Sequence, residues 1–329
     1  AGSSGCVLAN RLSADSSVSV LLIESGPDHT SPLIAMPRGI GKLLNPGNPH
    51  VWNYKAARGE GMSDEQWLKG KTIGGSSSVN GMVYVRGAPA DYDNWEAQGC
   101  TGWGWKDMGR QFVALEDHQL GKSQWRGVGG PLKVTVHPSG HALCDAVISA
   151  AGKLGAARTD DTNHVDSVSQ GGFGYQPQTT WKGQRFSAAK AFLDPVRGRP
   201  NLTVMTGTDV QRIEFSQRRA CAVWVDGRAG NARFEVRREV LLCAGAIESP
   251  KLLQLSGIGP AGLLNSLGIS VLQDAPEVGR NLREHVYMAM QYRVTSGSFN
   301  HCFHGVGLLG ALTQYFLRKK GPMTHAAHE

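Results

Sequence analysis

The alternation of apolar and polar positions is clearest at the start of the chain. Residues 18–23 are mostly apolar, which predicts a strand buried in a parallel sheet. Residues 6–12 place apolar side chains at helical spacing and predict a helix with one apolar face. A helix followed by a buried strand is half of a βαβ unit, and this strand ends in the acidic residue Glu24.

Similar patterns predict further elements along the chain. A strand is expected at 201–206, alternating strands continue up to Val225, and residues 240–243 predict another buried strand. The chain then turns at Ala244 into a helix with Pro250 near its N-terminus. A second βα turn of this kind fits the cofactor-facing edge of the same sheet.

Other stretches are less regular. Residues 27–68 contain five prolines and few periodic segments, so we expect loops that wrap a ligand or an interface. Residues 141–157 predict an amphipathic helix, and the glycine- and aromatic-rich stretch 171–182 predicts a sheet or a pocket wall. Residues 306–316 are apolar and predict a buried helix, with contact to a membrane surface as the alternative.

The first glycines of the chain suit a nucleotide cofactor. Gly2 and Gly5 match the last two glycines of G-x-G-x-x-G, whose first glycine and preceding strand would lie upstream of residue 1. Glu24 follows Gly5 by 19 residues, the spacing of the acid that binds the ribose. A pyrophosphate would lie over the helix N-terminus. The pattern fits NAD as well as FAD, and an ordinary βα turn is the structural alternative.

Residues 70–87 form the most informative stretch of the chain. Glycines and serines dominate its first half, and an apolar run that includes Met82 and Val83 follows. Glycine lets the backbone approach a ligand closely, and a loop that runs into a helix presents N–H groups to an anion or a flat ring. A plain linker is the alternative, but a linker does not explain the apolar run between Gly81 and Gly87.

Composition excludes several classes of protein. The 329 residues are 40% hydrophobic and 19% charged, which is typical of a globular protein. The net charge of +7 is scattered, with its densest cluster at 318–320, so no nucleic-acid partner is expected. The six cysteines form no C-x-x-C pair, which favours neither disulfides nor a metal site and indicates a reducing, cytoplasmic location. The sequence contains no run of eighteen apolar residues, so no membrane-spanning helix is expected.

Four separated segments carry a resemblance to a known family. They are residues 1–9 with 24–27, residues 70–87, residues 244–260, and residues 278–285, where Glu284 replaces the usual Asp of V-G-x-N-L-x-D-H. In this order they resemble the glucose–methanol–choline (GMC) family of FAD-dependent oxidoreductases. The resemblance covers nearly the whole chain. NAD-dependent Rossmann dehydrogenases are the alternative, because Glu24 fits NAD as well as FAD, but they give residues 70–87 no role.

The resemblance implies a set of cofactor-binding residues. Their shared role is to line the pyrophosphate, the adenosine or the flavin ring of FAD, and they are Gly2, Ser4, Gly5, Glu24, Thr72, Gly75, Ser77, Asn80, Gly81, Met82, Val83, Val210, Ala244 and Gly245. A structural turn is the alternative role for Asn80. Glu329 matches an acidic residue that lines the family's substrate cavity.

The resemblance also implies the fold and its division. We expect an α/β fold with a Rossmann-like FAD-binding domain at 1–137 and 196–285. A discontinuous α+β substrate-binding domain is expected at 138–195 and 286–329, incomplete at its C-terminus. The family's catalytic His lies in a segment that would follow Glu329, so the catalytic residues are unknown. The chain is therefore expected to be a fragment that lacks both ends, binds FAD poorly and is inactive alone.

The activity implied by the resemblance is oxidation of a primary alcohol, either choline or an aliphatic or aromatic alcohol, by hydride transfer to flavin N5. The electron acceptor would be a quinone, a dye or oxygen. An oxidase and a hydroxynitrile-type lyase on the same scaffold are the alternatives. No metal is expected, and peripheral contact with the inner membrane is the alternative to a purely cytoplasmic location.

Overall fold

The computed structural model of the chain describes residues 1–136, 142–227, 230–285 and 292–325 and divides into two compact units. Unit 1 consists of Ala1–His29, Pro46–Ser78 and Leu193–Gln291, and unit 2 of Thr30–Asn45, Val79–Phe192 and Tyr292–Glu329. The described helices are α1 Ser3–Leu12, α2 Pro32–Ala35, α3 Ile40–Leu43, α4 Pro89–Ala97, α5 Trp105–Leu115, α6 Ala142–Lys153, α7 Val165–Gln170, α8 Gly245–Leu255, α9 Ala261–Ser266 and α10 Gly305–Arg318.

Strands occur in both units, as an α/β fold requires. They are β1 Val20–Ile23, β2 Val51–Ala56, β3 Glu65–Gly70, β4 Glu116–His118, β5 Leu132–Val136, β6 Pro177–Gln178, β7 Thr180–Trp181, β8 Gln184–Arg185, β9 Leu202–Met205, β10 Thr208–Ser216, β11 Arg219–Gly227, β12 Gly230–Glu235, β13 Ile258–Gly259 and β14 Gln273–Asp274. Short 3₁₀ turns at Pro37–Gly39, Gly75–Ser78, Asp194–Val196, Phe299–Phe303 and Pro322–Thr324 and a π turn at Ala189–Leu193 connect some of these elements.

Unit 1 is built around two strands that run in parallel. β1 pairs with β9 in the register Val20↔Leu202 to Ile23↔Met205. The antiparallel strands β10, β11 and β12 form a second sheet, against which α8 packs. β2 and β3 form a hairpin. The buried side chains of α1, β9 and β11, among them Cys6 and Val225, form the apolar interior of this unit.

Unit 2 contains a small mixed sheet and a buried charged network. β4 is parallel to β5, and β5 is antiparallel to β6. At the start of β4 the fully buried Glu116 pairs with Arg86 and accepts hydrogen bonds from the Tyr84 hydroxyl (2.8 Å) and the Gly127 N–H (3.1 Å). Burial alone would lower the pKa of Arg86, but its bond to the Glu116 carboxylate raises that pKa. A buried ion pair with these added bonds is costly to break.

The patterns near the N-terminus are confirmed, but the strand expected at 240–243 is wrong. The predicted helix lies within α1, and the predicted strand is the parallel β1. Residues 240–243 form no strand, and Leu21 of β1 is 38% exposed rather than buried. Both departures have one cause, since a strand needs a neighbour, and the edge of β1 opposite β9 faces a groove.

The irregular region before residue 70 is more structured than its sequence predicts. The short helices α2 and α3 and the hairpin β2–β3 all lie within 27–68 or at its end. Prolines 32 and 37 begin helical turns here rather than only interrupting them, which is compatible with their fixed φ. The strand β12 also escaped the pattern analysis, whereas the strands at 201–206 and up to Val225 and the sheet at 171–182 are confirmed.

The helices predicted at 141–157 and 306–316 are present, but helix ends and burial differ from the expectation. α6 ends at Lys153, four residues before the expected end, and Pro250 lies inside α8 rather than near its start. The 3₁₀ turn Gly75–Ser78 is followed by an irregular, non-helical segment, so the expected helix after the glycine-rich loop is wrong. α10 exists as expected and buries Ala311 and Tyr315, but Val306 is 84% and Leu317 77% exposed, so its predicted burial is confirmed on one face only.

The two units and the expected domains differ in their boundaries. The third segment of unit 1, Leu193–Gln291, ends near the expected boundary at 285, whereas residues 30–45 and 79–136 belong to unit 2 instead of the expected FAD-binding domain. The assignment of FAD binding and substrate binding to particular segments therefore stays a prediction. Among the described residues, no helix is long and apolar enough to cross a bilayer.

Candidate functional site

The N-terminus of α1 is shaped for an anion. The helix begins at Ser3, and its N-cap Gly2 has extended backbone and no side-chain cap. The first N–H groups of a helix have no partner within the helix, and their dipoles favour negative charge. A Cβ on Gly5 would lie 3.5 Å from both the Leu22 side chain and Cys243 Cβ, so only a small residue fits between β1 and Cys243.

Glu24 lies directly after β1, at the carboxyl end of the strand. Its carboxylate is 8% exposed, and its two oxygens accept from the Gly26 N–H at 3.0 Å and from the Ala1 ammonium at 2.8 Å. A Cβ on Gly26 would fall 1.8 Å from the carbonyl oxygen of Lys71, so this turn packs directly on the glycine-rich loop. The geometry keeps a carboxylate at the strand edge where nucleotides bind in parallel sheets.

Backbone groups of the glycine-rich loop contact the start of α1. The Gly74 N–H donates to the Ala1 carbonyl at 2.8 Å, and Gly75 has φ +54°. A Cβ on Gly75 would lie 2.7 Å from Gly2 Cα, closer than any side chain permits. Glycine at position 75 therefore lets loop and helix meet, and the structure brings Gly2, Gly75 and Glu24 into one region of unit 1.

Thr72 and Ser77 contribute to this loop differently than a ligand contact would suggest. Thr72 is fully buried, and its hydroxyl donates to the Pro27 carbonyl at 2.8 Å. The Ser77 hydroxyl donates to the Gly74 carbonyl at 2.6 Å. Both hydroxyl protons are thus used inside unit 1. No sequence pattern singled out His50 as a residue of this region. Its Nδ1 lies 3.3 Å from the Thr72 hydroxyl oxygen, and burial lowers the pKa of its imidazole.

Other predicted adenosine contacts surround a groove in unit 1. Gly5, Val210 and Ala244 all line this groove, which has a volume of about 700 Å³. Ala244 is the N-cap of α8, and Gly245 begins that helix with φ +83°. Gly5, Val210 and Ala244 therefore line the same groove as residues of β1. Ser4 lies in the first turn of α1 and is exposed.

The predicted flavin-ring turn at 80–83 lies in unit 2 and is stabilised by side chains. Asn80 Oδ1 accepts from the Met82 N–H at 3.0 Å and from Arg185 Nη1 at 2.8 Å. Met82 is fully buried with φ +64°, a conformation rare for non-glycine residues, and its carbonyl accepts from the Thr179 N–H. Val83 forms a bridge with Gln178. Gly81 lies between Asn80 and Met82 and is half-buried.

Arg185 supports this turn and was not singled out from the sequence. It is 1% exposed, its Nε donates to the Ile34 carbonyl at 3.0 Å, and burial lowers its pKa to about 10. A lone arginine in an irregular stretch offers no periodic signal, so only the tertiary structure reveals its link to Asn80. The structural turn and a flavin contact remain compatible for Asn80, because its side chain is exposed.

One residue of the predicted site cannot be placed in the structure. Glu329 lies outside the described residues, so its substrate contact stays a prediction. Among the residues that the structure describes, no group of three or more His, Cys, Asp or Glu side chains could hold a metal ion. All six cysteines are free thiols.

The parallel strand, the glycine-started helix and the carboxylate at the strand end define a dinucleotide-binding unit. Comparison with known proteins narrows this class. A family model described as GMC oxidoreductase matches residues 1–287, and the chain therefore belongs to the GMC oxidoreductase family. FAD is the cofactor of this family, which sets aside an NAD-dependent Rossmann dehydrogenase.

Individual relatives agree with this assignment. The chain is 41% identical over 304 residues to an oxygen-dependent choline dehydrogenase of Ectopseudomonas mendocina, covering 90% of this chain and 53% of the relative. It is 39% identical to an alcohol dehydrogenase [acceptor] of Pseudomonas putida, covering 98% and 59%. A formate oxidase structure from Aspergillus oryzae RIB40, studied for FAD modification, superposes with TM-score 0.84 at 27% identity, covering 98% and 58%. The chain thus spans little more than half the length of these relatives.

Proposed function

We propose that the whole protein is an FAD-dependent oxidoreductase that acts on the CH–OH group of a primary alcohol and produces the aldehyde. The relatives named choline dehydrogenase and alcohol dehydrogenase support this substrate class. One structural observation carries the proposal for this chain. The backbone contact between Gly2 and Gly75, beside the Glu24 carboxylate, leaves an uncapped helix N-terminus next to a ribose-binding acid.

The residues of unit 1 fit the nucleotide half of FAD. The uncapped N-terminus of α1 would face the pyrophosphate, and Glu24 would accept hydrogen bonds from the ribose hydroxyls. Val210, Ala244 and Gly245 would lie along the adenosine. The turn 80–83 of unit 2 would contact the flavin ring.

The chemistry divides between cofactor and protein. When bound, FAD would supply flavin N5 as the acceptor of a hydride from the alcohol carbon. The described residues bind and orient; they do not include the base that takes the hydroxyl proton. We propose that this base is a histidine in a segment beyond Glu329 and that Glu329 lines the substrate cavity. The substrate is choline or a simple aliphatic or aromatic alcohol.

The electron acceptor separates an oxidase from a dehydrogenase. A relative named oxygen-dependent supports oxygen, and a relative named for an unspecified acceptor supports a quinone or dye. We favour a dehydrogenase. In the whole protein, anaerobic addition of choline or of a simple primary alcohol should bleach the flavin absorption, and oxygen or dye should restore it. Flavin that neither alcohol bleaches would instead favour a lyase or another substrate.

FAD binding by the present chain tests the carrying observation directly. Titration of FAD, followed by flavin fluorescence, should give saturable binding that Glu24→Gln weakens about tenfold, because a charge-assisted hydrogen bond is lost. Glu60→Gln is the matched control, since Glu60 is an exposed acid of the same unit. Equal affinity for wild type and Glu24→Gln would contradict the proposed role of this carboxylate.

The location of the protein is proposed on separate grounds. We place it in the cytoplasm, in peripheral contact with an anionic membrane through α10, whose exposed Val306, Leu309 and Leu317 precede the basic residues 318–320. Co-sedimentation with vesicles containing anionic lipid should be lost in Leu309→Glu. Leu154→Glu, on a 90% exposed leucine of the same unit, should leave it unchanged. Equal sedimentation with neutral vesicles would contradict the electrostatic part.

A further inference from the structure

A cysteine–histidine pair lies in unit 2, outside the predicted cofactor site. The 3₁₀ turn Phe299–Phe303 contains both residues, and His301 Nε2 lies 3.2 Å from Cys302 Sγ. A thiol is a weak hydrogen-bond donor, and this distance allows it to donate to the imidazole. Cys302 is only partly buried, so small solutes can reach its sulfur.

The proton positions of this pair follow from the other nitrogen of the imidazole. His301 Nδ1 lies 3.1 Å from the carbonyl oxygen of Ser298. A carbonyl oxygen only accepts hydrogen bonds, so Nδ1 carries the ring proton. In the neutral imidazole Nε2 is then an acceptor, and the Cys302 thiol donates to it. His301 is therefore a base that already lies against a nucleophile.

The backbone of the turn orients the histidine. Ser298 is the N-cap of the turn, and its hydroxyl oxygen accepts from the Asn300 N–H at 3.1 Å. This cap fixes the backbone whose carbonyl binds His301 Nδ1. A nucleophile, a base and a third group that orients the base are the arrangement of an activated thiol. A hollow of about 480 Å³, lined in part by Ser298 and His301, leaves room for a small molecule beside the base.

The two segments of unit 2 that surround the pair are strongly cationic. Residues 30–45 and 292–325 contain no Asp or Glu. They pack on each other, since Met36 of the first and Tyr315 of the second belong to one buried cluster. Such surroundings raise the local concentration of anionic solutes. The six cationic side chains of these segments are Arg38, Lys42, Arg293, Arg318, Lys319 and Lys320.

One of these cations lies beside the turn itself. The guanidinium carbon of Arg38 is 4.6 Å from the centroid of the Phe303 ring, and Phe303 follows Cys302 in the chain. Phe303 also packs against the buried cluster that joins the two segments. An anionic reagent that approaches Cys302 therefore meets a fixed positive charge on the same surface.

We propose that Cys302 is a modification site at which a small disulfide that bears carboxylates exchanges with the protein thiol. The Cys302 sulfur attacks one sulfur of the reagent, a new S–S bond forms and the original S–S bond breaks. His301 takes the proton from Cys302 and gives it to the departing thiolate. The Cys302 sulfur is oxidised, the departing sulfur is reduced, and no further reactant is needed. The proposal rests on this turn and its surroundings and not on the proposed oxidoreductase activity.

Exchange with glutathione disulfide, measured on the folded whole protein at pH 7, tests the proposal. Mass spectrometry of peptides, after the reaction is stopped with acid, gives the rate at each cysteine. Cys100 is the internal reference, because it is an exposed thiol of the same unit and lies near the carboxylate of Glu96, which accepts from the Gly102 N–H. Cys302 should react at least about tenfold faster than Cys100. Equal rates at the two cysteines would overturn the proposal.

His301→Gln tests the role of the base. Glutamine keeps a polar side chain but takes no proton, so the rate at Cys302 should fall about tenfold while that at Cys100 stays the same. His304→Gln is the matched control, because His304 directly follows the turn and its Nδ1 lies 3.0 Å from the Asn300 carbonyl oxygen. That variant should change the Cys302 rate by less than about twofold. A Cys302 rate that survives His301→Gln unchanged would overturn the proposal.

A disulfide of opposite charge tests the recognition. Cystamine has the same S–S bond but carries two ammonium groups. The ratio of the glutathione disulfide rate to the cystamine rate should be higher at Cys302 than at Cys100, and comparing the two sites cancels the intrinsic reactivity of each reagent. Added salt should reduce the difference between the sites, because it screens the surface charge. The same ratio at both cysteines would overturn the assignment of an anionic reagent.

Discussion

The two parts of the predicted cofactor site are stabilised by different kinds of contact. In unit 1, Gly26 and Gly75 bring backbone against backbone, at places where a Cβ would lie 1.8 Å and 2.7 Å from a neighbouring main chain. In unit 2, the turn 80–83 depends on the Asn80 side chain and on the buried Arg185. The first part specifies its geometry by the absence of side chains, and the second by particular side-chain bonds.

This difference predicts how each part responds to substitution. Where two backbones touch at a glycine, no other residue is small enough to replace it, so any side chain displaces the loop. A side-chain bond can be replaced by another group of the same shape and bonding capacity. The variants below therefore separate steric from hydrogen-bonding effects, and exchange measured unit by unit shows whether each effect stays in its own part.

Gly26→Ala should produce the largest effect. The new Cβ would fall 1.8 Å from the Lys71 carbonyl oxygen and force the turn after Glu24 away from the glycine-rich loop. We expect a loss of more than about 4 kcal/mol in the free energy of unfolding of unit 1, measured by denaturant titration with hydrogen exchange.

The matched control for Gly26→Ala is Gly262→Ala. Gly262 lies within α9 of the same unit, and a Cβ there would meet nothing within 4 Å. Alanine at that site should stabilise the helix by about 0.5–1 kcal/mol. Near-equal stability of the two variants would contradict the backbone-built description of unit 1.

Glu116→Gln should be the most damaging side-chain change in unit 2. It leaves the buried Arg86 guanidinium without its carboxylate, and removing one partner of a buried ion pair costs about 3–5 kcal/mol. Exchange should accelerate in β4 and β5, while the amides of β1 and β9 keep their protection.

Asp107→Asn provides the control for Glu116→Gln. Asp107 pairs with Arg110 on α5 of the same unit, but both side chains are substantially exposed. Exposed pairs contribute about 0–1 kcal/mol, so little change is expected. A comparable loss in both variants would show that burial does not decide the strength of these pairs.

Asn80→Ala should have an intermediate effect on unit 2. It removes the acceptor for the Met82 N–H and for Arg185 Nη1, and a buried charged donor then loses a partner, at a cost of about 2 kcal/mol. Asn80→Asp keeps an acceptor and should stay close to wild type in thermal unfolding. If Asp and Ala were equally destabilising, the side-chain bond would not be what stabilises this turn.

A pH-dependent effect should be the smallest. Burial raises the pKa of the Cys6 thiol in α1 to about 11, so the folded state retains this proton above pH 9, where the unfolded thiol loses it. The corresponding stability is present below pH 9 and is lost as the pH rises towards 11. Between pH 8 and 10.5, wild type should lose about 2 kcal/mol more than Cys6→Ala.

The control for the alkaline effect is Cys100→Ala, because Cys100 is exposed. Its pH dependence should follow that of wild type in unfolding experiments at the same pH values. An unchanged difference between wild type and Cys6→Ala across this range would mean that the buried thiol does not titrate with folding.

Predictions from sequence patterns succeeded where an element depends on residues close in sequence, and failed where it needs a partner distant in sequence. The helix at α1 and the strand β1 follow from periodicity, and the structure confirms them. Glu24 lies directly after that strand, and its role as the ribose-binding acid stays a prediction. The strand expected at 240–243 failed although its composition is right, because a strand requires a neighbouring edge. α10 is buried on one face only for a related reason, since an apolar sequence indicates a preference for burial but not which residues will cover each side chain.

Long-range contacts had no signal in the sequence. Arg185 meets Asn80 across 105 residues, and Arg86 meets Glu116 across 30, through bonds that no spacing rule predicts. The glycine positions were predictable as close approaches, but which backbone each approaches was not. The contact of Gly75 with Gly2 appears only when loop and helix are placed in one unit.

By itself, the sequence determined the family, the nucleotide-binding pattern and the position of its acid, because these are written in glycine spacing and strand periodicity. The tertiary structure decided which side chains support the turn at 80–83, which charges are buried as pairs, and which strand edges stay open. Those properties depend on what lies opposite each residue in space, and the linear order of residues contains no such information.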